Sequence, residues 1–529
     1  MGPEVIAGAD RPEPRPAALL PARLIVSSNA RVNRYALRLI AFATGALLAC
    51  GFAPLQWWPL AIVCPAVLMY LWESATPREA AWLGFWFNFG TFGAGTYWLY
   101  TGLHTMGGAP AWMAFGLMLG LVSIMALYHA ALGYAVARWL PSGGALRWMV
   151  ALPAAWLLVE WWRGWFLTGF SWLSLGYSQT DTWLAAFAPV LGVYGISAIL
   201  LVSAGALVAV VRGSVRTRVI ACAVLVAPWV VALPLSTIEW TRPSGPAVKV
   251  AIAQGAIPQN QKWLDTNHDA TLTLYRELAE RAFGTPLIVF PEASLPDLAN
   301  DLVPYLRSLY HDASAKGSDV VLGILRMDEH EQYYNSVLAL GKQVQWYDKN
   351  HLVPFAEFFP VPQFVRSWLR LMSLPYSDFT RGGDAQPPLR VAGLRLAATI
   401  CYEDGYGSSQ LAVLREADAL VNVTNDAWFG RGSARHQHFQ IARMRAIEAQ
   451  RYMLRAANDG ISAVIGPHGE VVARAPEFQQ HVLVASVTPY TGLPFYARVG
   501  NWLIISLATI ALAVGWAVGR RRASAAQSR

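Results

Sequence analysis

Apolar stretches of membrane-spanning length fill the first half of this 529-residue chain and return near its end, leaving one long polar segment between them. A helix needs about 20 apolar residues to cross the hydrocarbon of a bilayer. Stretches approaching that length run near 39–52, 58–72, 81–100, 111–137, 148–166, 184–211 and 219–235, and an eighth runs near 502–518. The first two are short and parted only by Ala53-Pro54-Leu55-Gln56, a pattern that also fits a hairpin entering and leaving one face. With 55% hydrophobic residues, only 14% charged and 23 tryptophans, the composition is that of a polytopic α-helical membrane domain of about eight transmembrane helices rather than a soluble protein.

The loop charges orient these spans. Arg31, Arg34 and Arg38 precede the first and Arg78 follows the second. Arg138 and Arg147 flank the loop after the fourth, Arg212, Arg216 and Arg218 follow the sixth, and Arg520, Arg521 and Arg522 close the chain. Cationic loops stay in the cytoplasm, so both termini are expected there and the polar segment on the outer side. The net charge of +8 is spread over these loops and one helix, with no basic stripe interleaved with aromatics, which argues against nucleic acid as a partner.

The implied organisation is a disordered cytoplasmic tail (1–34), a helical membrane domain (35–238), a linker (239–247), a polar domain (248–490), a last span (498–519) and a short tail (520–529). The tail is rich in Pro, Ala and Arg and lacks periodicity, and no short apolar core with a cleavage site marks it as a signal peptide. Within the polar domain, β-rich runs at 248–253, 287–290, 320–325, 336–340, 343–347, 394–400, 420–423, 462–465 and 482–487 alternate with helical patterns. The helical patterns lie at 264–283, 302–316, 408–416 and 437–456. Such alternation predicts an α/β domain with helices covering sheets.

Of the four cysteines, Cys50, Cys64 and Cys222 sit inside apolar stretches, whereas Cys401 ends the strand-like run 394–400 and is followed by Glu403, Asp404 and Gly405. A thiol at the abrupt end of a strand is placed for exposure to a reactant. Two further strand ends carry a charged group: Glu292 in Phe290-Pro291-Glu292, and Lys349 in Tyr347-Asp348-Lys349. Acyl transfer through a thioester needs a nucleophile, a base for its proton and a positive group beside the oxyanion. Cys401, Glu292 and Lys349 supply those types in that order.

Other features have plainer readings. The aromatic stretch 355–374 fits either core packing or a lid touching the membrane. Glu160 and Arg163 share one helix face and read as a structural pair beneath the loop that carries Trp172. The helix assigned to 437–456 is expected to expose most of Arg443, Arg445, Arg451 and Arg455 to water. His436 and His438 are two apart, on different helix faces, with no acid pair beside them in sequence, so no metal and no cofactor is expected.

Several motifs together carry a resemblance. They are Gln254-Gly255, 258–263 ending in Trp263, Phe290-Pro291-Glu292, Tyr333-Tyr334-Asn335-Ser336, 347–357 from Tyr347 to Glu357, Ile400-Cys401-Tyr402-Glu403, 425–429 and 451–462. The segment 248–489 resembles the carbon-nitrogen hydrolase (nitrilase) superfamily, whose Glu-Lys-Cys triad sits in an αββα sandwich. With spans before and after it, the whole chain resembles the apolipoprotein N-acyltransferases. In the membrane half 160–163 and 167–172 also fit, though Ser171 stands where that family leads one to expect proline.

The resemblance implies a bacterial inner-membrane enzyme with its catalytic domain in the periplasm. It implies transfer of the sn-1 acyl chain of a phospholipid, typically phosphatidylethanolamine, through a thioester on Cys401 to the N-terminal amine of a diacylated apolipoprotein. Glu292 is then the general base, Lys349 the oxyanion partner, Glu357 and Glu403 orienting acids, and Tyr402, Trp263, Asn335 and Trp172 substrate-handling or supporting residues. Membrane lipid is the other implied partner, and the protein is expected to act as a monomer.

Two rivals keep the same residues. A membrane-anchored amidase would use the triad with water as acceptor. A transporter with an outer sensor domain would leave Cys401 incidental, but its spans should then carry midplane charge or paired broken helices. A topology reporter fused at Glu239 should read outside the cytoplasm, and an inside reading would overturn the assignment of the polar domain.

Overall fold

The computed structural model describes residues 26–527 apart from 142, 355 and 359–378. The aromatic stretch 355–374 therefore lies almost wholly outside the described residues, as does the tail up to residue 25.

The membrane half is built from α1 (Val26–Leu48), α2 (Leu60–Trp72), α3 (Pro77–Gly95), α4 (Ala111–Trp139), α5 (Leu152–Arg163), α6 (Ala188–Arg212) and α7 (Val215–Leu235). Helix α1 begins inside the stretch read as a disordered tail. Helices stand at every position read as a span, but among the described residues five segments are long and apolar enough to cross a membrane: Asn33–Gly51, Ala111–Trp139, Trp183–Arg212, Val215–Leu235 and Trp502–Arg521. Helix α2 is apolar but has only 13 residues. Helix α6 forms the centre of this bundle, with Ile196, Leu200, Leu201, Ala204 and Ala209 fully buried, whereas α7 presents Val219, Val226, Val230 and Leu233 outward. An outward apolar face is what a helix bordering hydrocarbon requires.

The polar half is a four-layer sandwich. One six-stranded sheet runs in the order β13-β2-β3-β4-β5-β6 and the other β12-β11-β10-β9-β8-β7. The first contains β2 (Val248–Gln254), β3 (Leu287–Val289), β4 (Asp319–Met327), β5 (Tyr333–Leu340), β6 (Val344–Asp348) and β13 (His481–Val487). The second contains β7 (Leu389–Val391), β8 (Leu394–Ile400), β9 (Ala419–Thr424), β10 (Met453–Ala457), β11 (Ala463–Ile465) and β12 (Val471–Arg474). Val250, Ile252, Val289, Leu396, Ile400, Val421 and Val423 pack between the two sheets. The outer face of the first sheet is covered by α8 (His268–Ala282) and α9 (Val303–Ala315). Strands buried on both faces, such as β3, β8 and β9, read as unbroken apolar runs, which is why they stood out in the sequence, whereas β7, β10 and β12 did not.

The outer face of the second sheet is covered by α10 (Ala434–Ala449), and this helix joins the two halves. Phe439, Ala442 and Ala446 pack on the sheet, while Ala434, Ile441, Met444 and Ile447 pack into the membrane bundle. Helix α6 is broken at Gly192 (φ +66°), where a side chain would meet the Tyr496 ring, and it restarts at Val193. The freed N–H of Val193 donates to Glu448 Oε1 of α10 at 2.7 Å, so an acid of one domain caps a helix of the other. The other carboxylate oxygen pairs with Arg445 at 2.6 Å, both side chains being buried.

Three expectations are corrected here. The pattern 408–416 forms only short turns, Gly407–Gln410 and Val413–Arg415, instead of a helix. The helix expected to reach 456 stops at Ala449, because Gln450 adopts a left-handed conformation (φ +42°) and the chain turns into β10, parallel to β9. Three of the four arginines are not solvated. Arg445, Arg451 and Arg455 are all buried, and Arg451 spends its donors on the carbonyls of Ala417, Gln450 and Gly492. The stretch read as a linker contains β1 (Thr241–Pro243), paired antiparallel with β14 (Tyr490–Gly492), so both chain crossings between the domains are tied together. Beyond them, α11 (Trp502–Gln527) runs into the stretch read as a tail.

Removing one partner of a buried ion pair leaves an uncompensated charge and costs about 3–5 kcal/mol, whereas replacing both with apolar groups is far milder. Glu448→Ala should therefore lower the thermal midpoint of the detergent-purified protein strongly, and Arg445→Met with Glu448→Leu should lower it less than Glu448→Ala alone.

Candidate active site

Strand β8 ends at Ile400 and the chain turns immediately through Cys401, whose φ is +52°. A non-glycine residue in this region costs about 1–2 kcal/mol and persists only where its surroundings hold it. Three neighbours do so. Asn422 of β9 donates to the Cys401 carbonyl at 3.1 Å, and His438 Nε2 of α10 lies 3.1 Å from the same oxygen. Glu403 supplies the third hold. Its Oε2 accepts from the Ile400 N–H (2.7 Å) and the Tyr347 hydroxyl (3.0 Å), and its Oε1 from the N–H groups of Asn350 (2.6 Å) and His351 (2.9 Å). Burial pushes Glu403 up to about 7 even though these N–H donors and Lys349 favour the carboxylate. Glu403 thus ties the cysteine turn to the segment that follows β6, where Lys349 sits.

Glu292 follows β3 through Phe290 and Pro291 and is held by close backbone contact. A Cβ at Gly323 of β4 would fall 2.6 Å from the Glu292 Cα, so only glycine lets the two segments approach. Lys349 directly follows β6. Its N–H donates to the Asn335 carbonyl at 2.8 Å, and the preceding Asp348 is clamped by Arg326 (2.9 and 2.6 Å) and Ser336 (2.7 Å).

The side chains converge. Lys349 Nζ lies 2.8 Å from Glu357 Oε1 and 3.4 Å from Glu292 Oε1, and the Asn335 amide bridges the same two oxygens at 3.0 and 2.8 Å. Glu357 Oε2 also accepts the Val353 N–H at 2.8 Å, which fixes its plane. Burial alone would lower the Lys349 pKa, but the charges of Glu357 and then Glu292 outweigh it and hold the ammonium well above its ordinary range. The Cys401 thiol moves the other way from a reactive cysteine. Burial pushes it far up and the Glu292 charge adds to this, against Lys349 and a hydrogen bond from Thr424. Cys401 is consequently held as a thiol, with Glu292 and Lys349 near enough for their charges to act on it.

The supporting residues divide. Asn335, Glu357 and Glu403 belong to the cluster. Tyr402 and Trp172 connect it to the membrane half: the Tyr402 hydroxyl donates to the Gly169 carbonyl at 2.8 Å, and its ring stacks on Trp172 with centroids 6.5 Å apart. Trp172 is buried and donates to Gln437 of α10 at 2.7 Å. Trp263 is half-exposed, with the Lys262 ammonium 5.8 Å from its ring centre. Arg163 supports the loop by donating to the carbonyls of Phe170 (2.5 Å) and Trp172 (2.8 Å), and Glu160 accepts the Leu175 N–H at 3.3 Å. The two brace one loop separately, and no ion pair joins them among the described residues.

Lys262 was not singled out from the sequence. It is buried and donates to the Glu292 carbonyl at 3.1 Å, and desolvation draws it down to about 8 against the charges of Glu292 and Asp459. The acid pair not expected beside His438 is present as well, because Asp404 and Asp426 arrive from other elements.

A thiol, a carboxylate and an ammonium at the ends of β8, β3 and β6 of a two-sheet sandwich define a carbon-nitrogen hydrolase domain. The carbon-nitrogen hydrolase family model matches residues 249–492, and the model of the apolipoprotein N-acyltransferase N-terminal domain matches 44–206. Apolipoprotein N-acyltransferases of Methylococcus capsulatus and Pseudomonas putida are 38% and 39% identical to the chain over 93% and 91% of its length, covering 98% and 96% of theirs. That of Chromobacterium violaceum is 39% identical over 96% of this chain and 97% of its own. The chain belongs to the apolipoprotein N-acyltransferase family and is an acyltransferase.

The shorter contact of Lys349 is with Glu357, which keeps the ammonium from closing on Glu292. If Cys401 carries the acyl group, Glu357→Gln should let Lys349 settle on Glu292 and slow acylation of Cys401 on the order of 100-fold, as measured by single-turnover formation of the acyl adduct.

Proposed function

We propose that this enzyme moves the sn-1 acyl chain of a phospholipid, typically phosphatidylethanolamine, to the α-amine of a diacylglyceryl-cysteine at an apolipoprotein N-terminus. The single observation that carries the chemistry is the cluster in which a protonated Cys401 thiol shares its surroundings with Glu292 and the fixed Lys349 ammonium. In the first step Glu292 takes the thiol proton as sulfur attacks the ester carbonyl. Lys349 balances the oxyanion, and collapse expels the glycerol oxygen, which receives the proton from Glu292. A thioester and a lysophospholipid result. In the second step the acceptor amine attacks the thioester, Glu292 takes a proton from it and returns it to the departing sulfur, and the thiol is restored.

The reading includes a bacterial inner-membrane location with a periplasmic catalytic domain and cytoplasmic termini, eight spans in all, and action as a monomer. It is supported by the cationic loops, by the outward apolar faces of the helices, and by both substrates being lipids. Fastening the sandwich to the bilayer at both ends raises the local concentration of such substrates. A buried thiol in a site bordered by lipid also keeps water from the thioester, which would otherwise release free fatty acid. Membership of the acyltransferase family disfavours the amidase alternative.

Incubated with phosphatidylethanolamine of defined chains, the wild-type protein should gain the mass of one acyl chain on Cys401 and lose it when a diacylated peptide is added. Cys401→Ala should gain none. Normal lipid turnover by that variant would end the thioester reading.

A further inference from the structure

Beneath the cysteine turn lies a cluster of four charged side chains that the two-step chemistry does not use. His438 sits between Asp404, which follows the turn, and Asp426, which follows β9. Arg455 of β10 closes the group with contacts to Asp404 (3.3 Å) and Asp426 (3.0 Å). All four are buried. His438 Nδ1 is 2.7 Å from Asp426 Oδ1, and Nε2 is 3.0 Å from Asp404 Oδ1 and 3.1 Å from the Cys401 carbonyl. Both ring nitrogens therefore face only acceptors. A neutral imidazole has one N–H and must leave one of those sides without a donor, whereas the imidazolium serves both.

We infer that His438 is a positioning residue for the nucleophile: as an imidazolium fixed by Asp404 and Asp426, it grips the Cys401 carbonyl together with Asn422 and so holds the left-handed turn that aims the thiol. The inference rests on the reading of Cys401 as the acyl carrier. A peptide unit is planar, so gripping its carbonyl fixes the orientation of the whole Cys401–Tyr402 link. The groups facing the imidazole from each neighbouring element are Asp404 and Cys401 of the turn, Asp426, Arg455 of β10, and the Trp172 ring of the membrane loop at 5.5 Å. Burial and Arg455 pull its pKa down, but the two carboxylates outweigh them and raise it to about 9.

The protonated ring is thus present below that value and lost above it, which separates positioning from mere packing. Single-turnover acylation of the wild-type protein, followed by intact-protein mass spectrometry between pH 6 and 10.5, should fall as pH passes about 9. Ionisation of the thiol alone would raise the rate there. Asp404→Asn weakens the hold on the proton and should move the descending limb to lower pH. His438→Gln should form the adduct on the order of 100-fold more slowly, with no limb near 9.

A wild-type rate that is flat or rising through pH 9 to 10 overturns the inference whether or not the variants fold. So does a limb that Asp404→Asn leaves in place, or an undiminished rate in His438→Gln. Absence of any adduct on wild-type Cys401 would instead overturn the acyl-carrier reading itself.

Discussion

Helix Ala434–Ala449 is buried along most of its surface, and that constraint governs how the two halves of the molecule are joined. One side of it packs on the second sheet and the other on the membrane bundle, yet it carries Glu448, Arg445 and His438. A buried charge without a partner costs far more than a packing defect, so each must be matched by a group from elsewhere. The matches lie where the halves have to meet. Glu448 is shared between its own helix and the apolar helix that restarts at Val193, His438 reaches the cysteine turn, and Gln437 accepts from Trp172 and Trp98 of the membrane half. The contact between the domains is therefore directional, and it passes directly under Cys401.

Charge matching also explains the division of labour among the carboxylates. Glu403 is saturated by four donors, three of them backbone N–H groups, and has no lone pair facing a substrate that it could offer without giving one up. It acts as a strut between the cysteine turn and the lysine segment. Glu357 is committed to Lys349 and Val353. Glu292, by contrast, shares Oε1 with Asn335 at 2.8 Å and with Lys349 at a looser 3.4 Å. The carboxylate least consumed by its neighbours is the one beside the thiol, which is the arrangement a general base requires.

Much of this was legible in the sequence because apolar runs and strand ends are local signals. The run 394–400 was read to its last residue, since an unbroken buried strand stops where Cys401 turns the chain. Glu292 and Lys349 were legible for the same reason. The segment 450–456 was not, because its residues suit a helix, and only pairing with β9, distant in sequence, makes it a strand. The arginines were misread as solvated because their partners, Asp404, Asp426 and a set of backbone carbonyls, come from other elements. His438 was weighed only as a metal ligand with His436. The pair of acids that gives it meaning is assembled by the turn after β8 and the turn after β9, which no spacing within one helix reveals.

On the proposed reading, the two half-reactions ask one carboxylate, Glu292, to take a proton from two different donors. In the first the proton comes from a buried thiol held far above its ordinary pKa, so the base gains only when sulfur is already bonding to the ester carbon. In the second it comes from an α-amine, which in water has a pKa of about 8 and is largely protonated at neutral pH. A carboxylate paired tightly with Lys349 would be too weak a base for either. Seating the ammonium on Glu357 instead leaves the positive charge available to an oxyanion, with Glu292 in the looser of the two contacts. On the proposed reading, Glu357 is thus what allows one base to serve an acyl donor and an amine acceptor in turn.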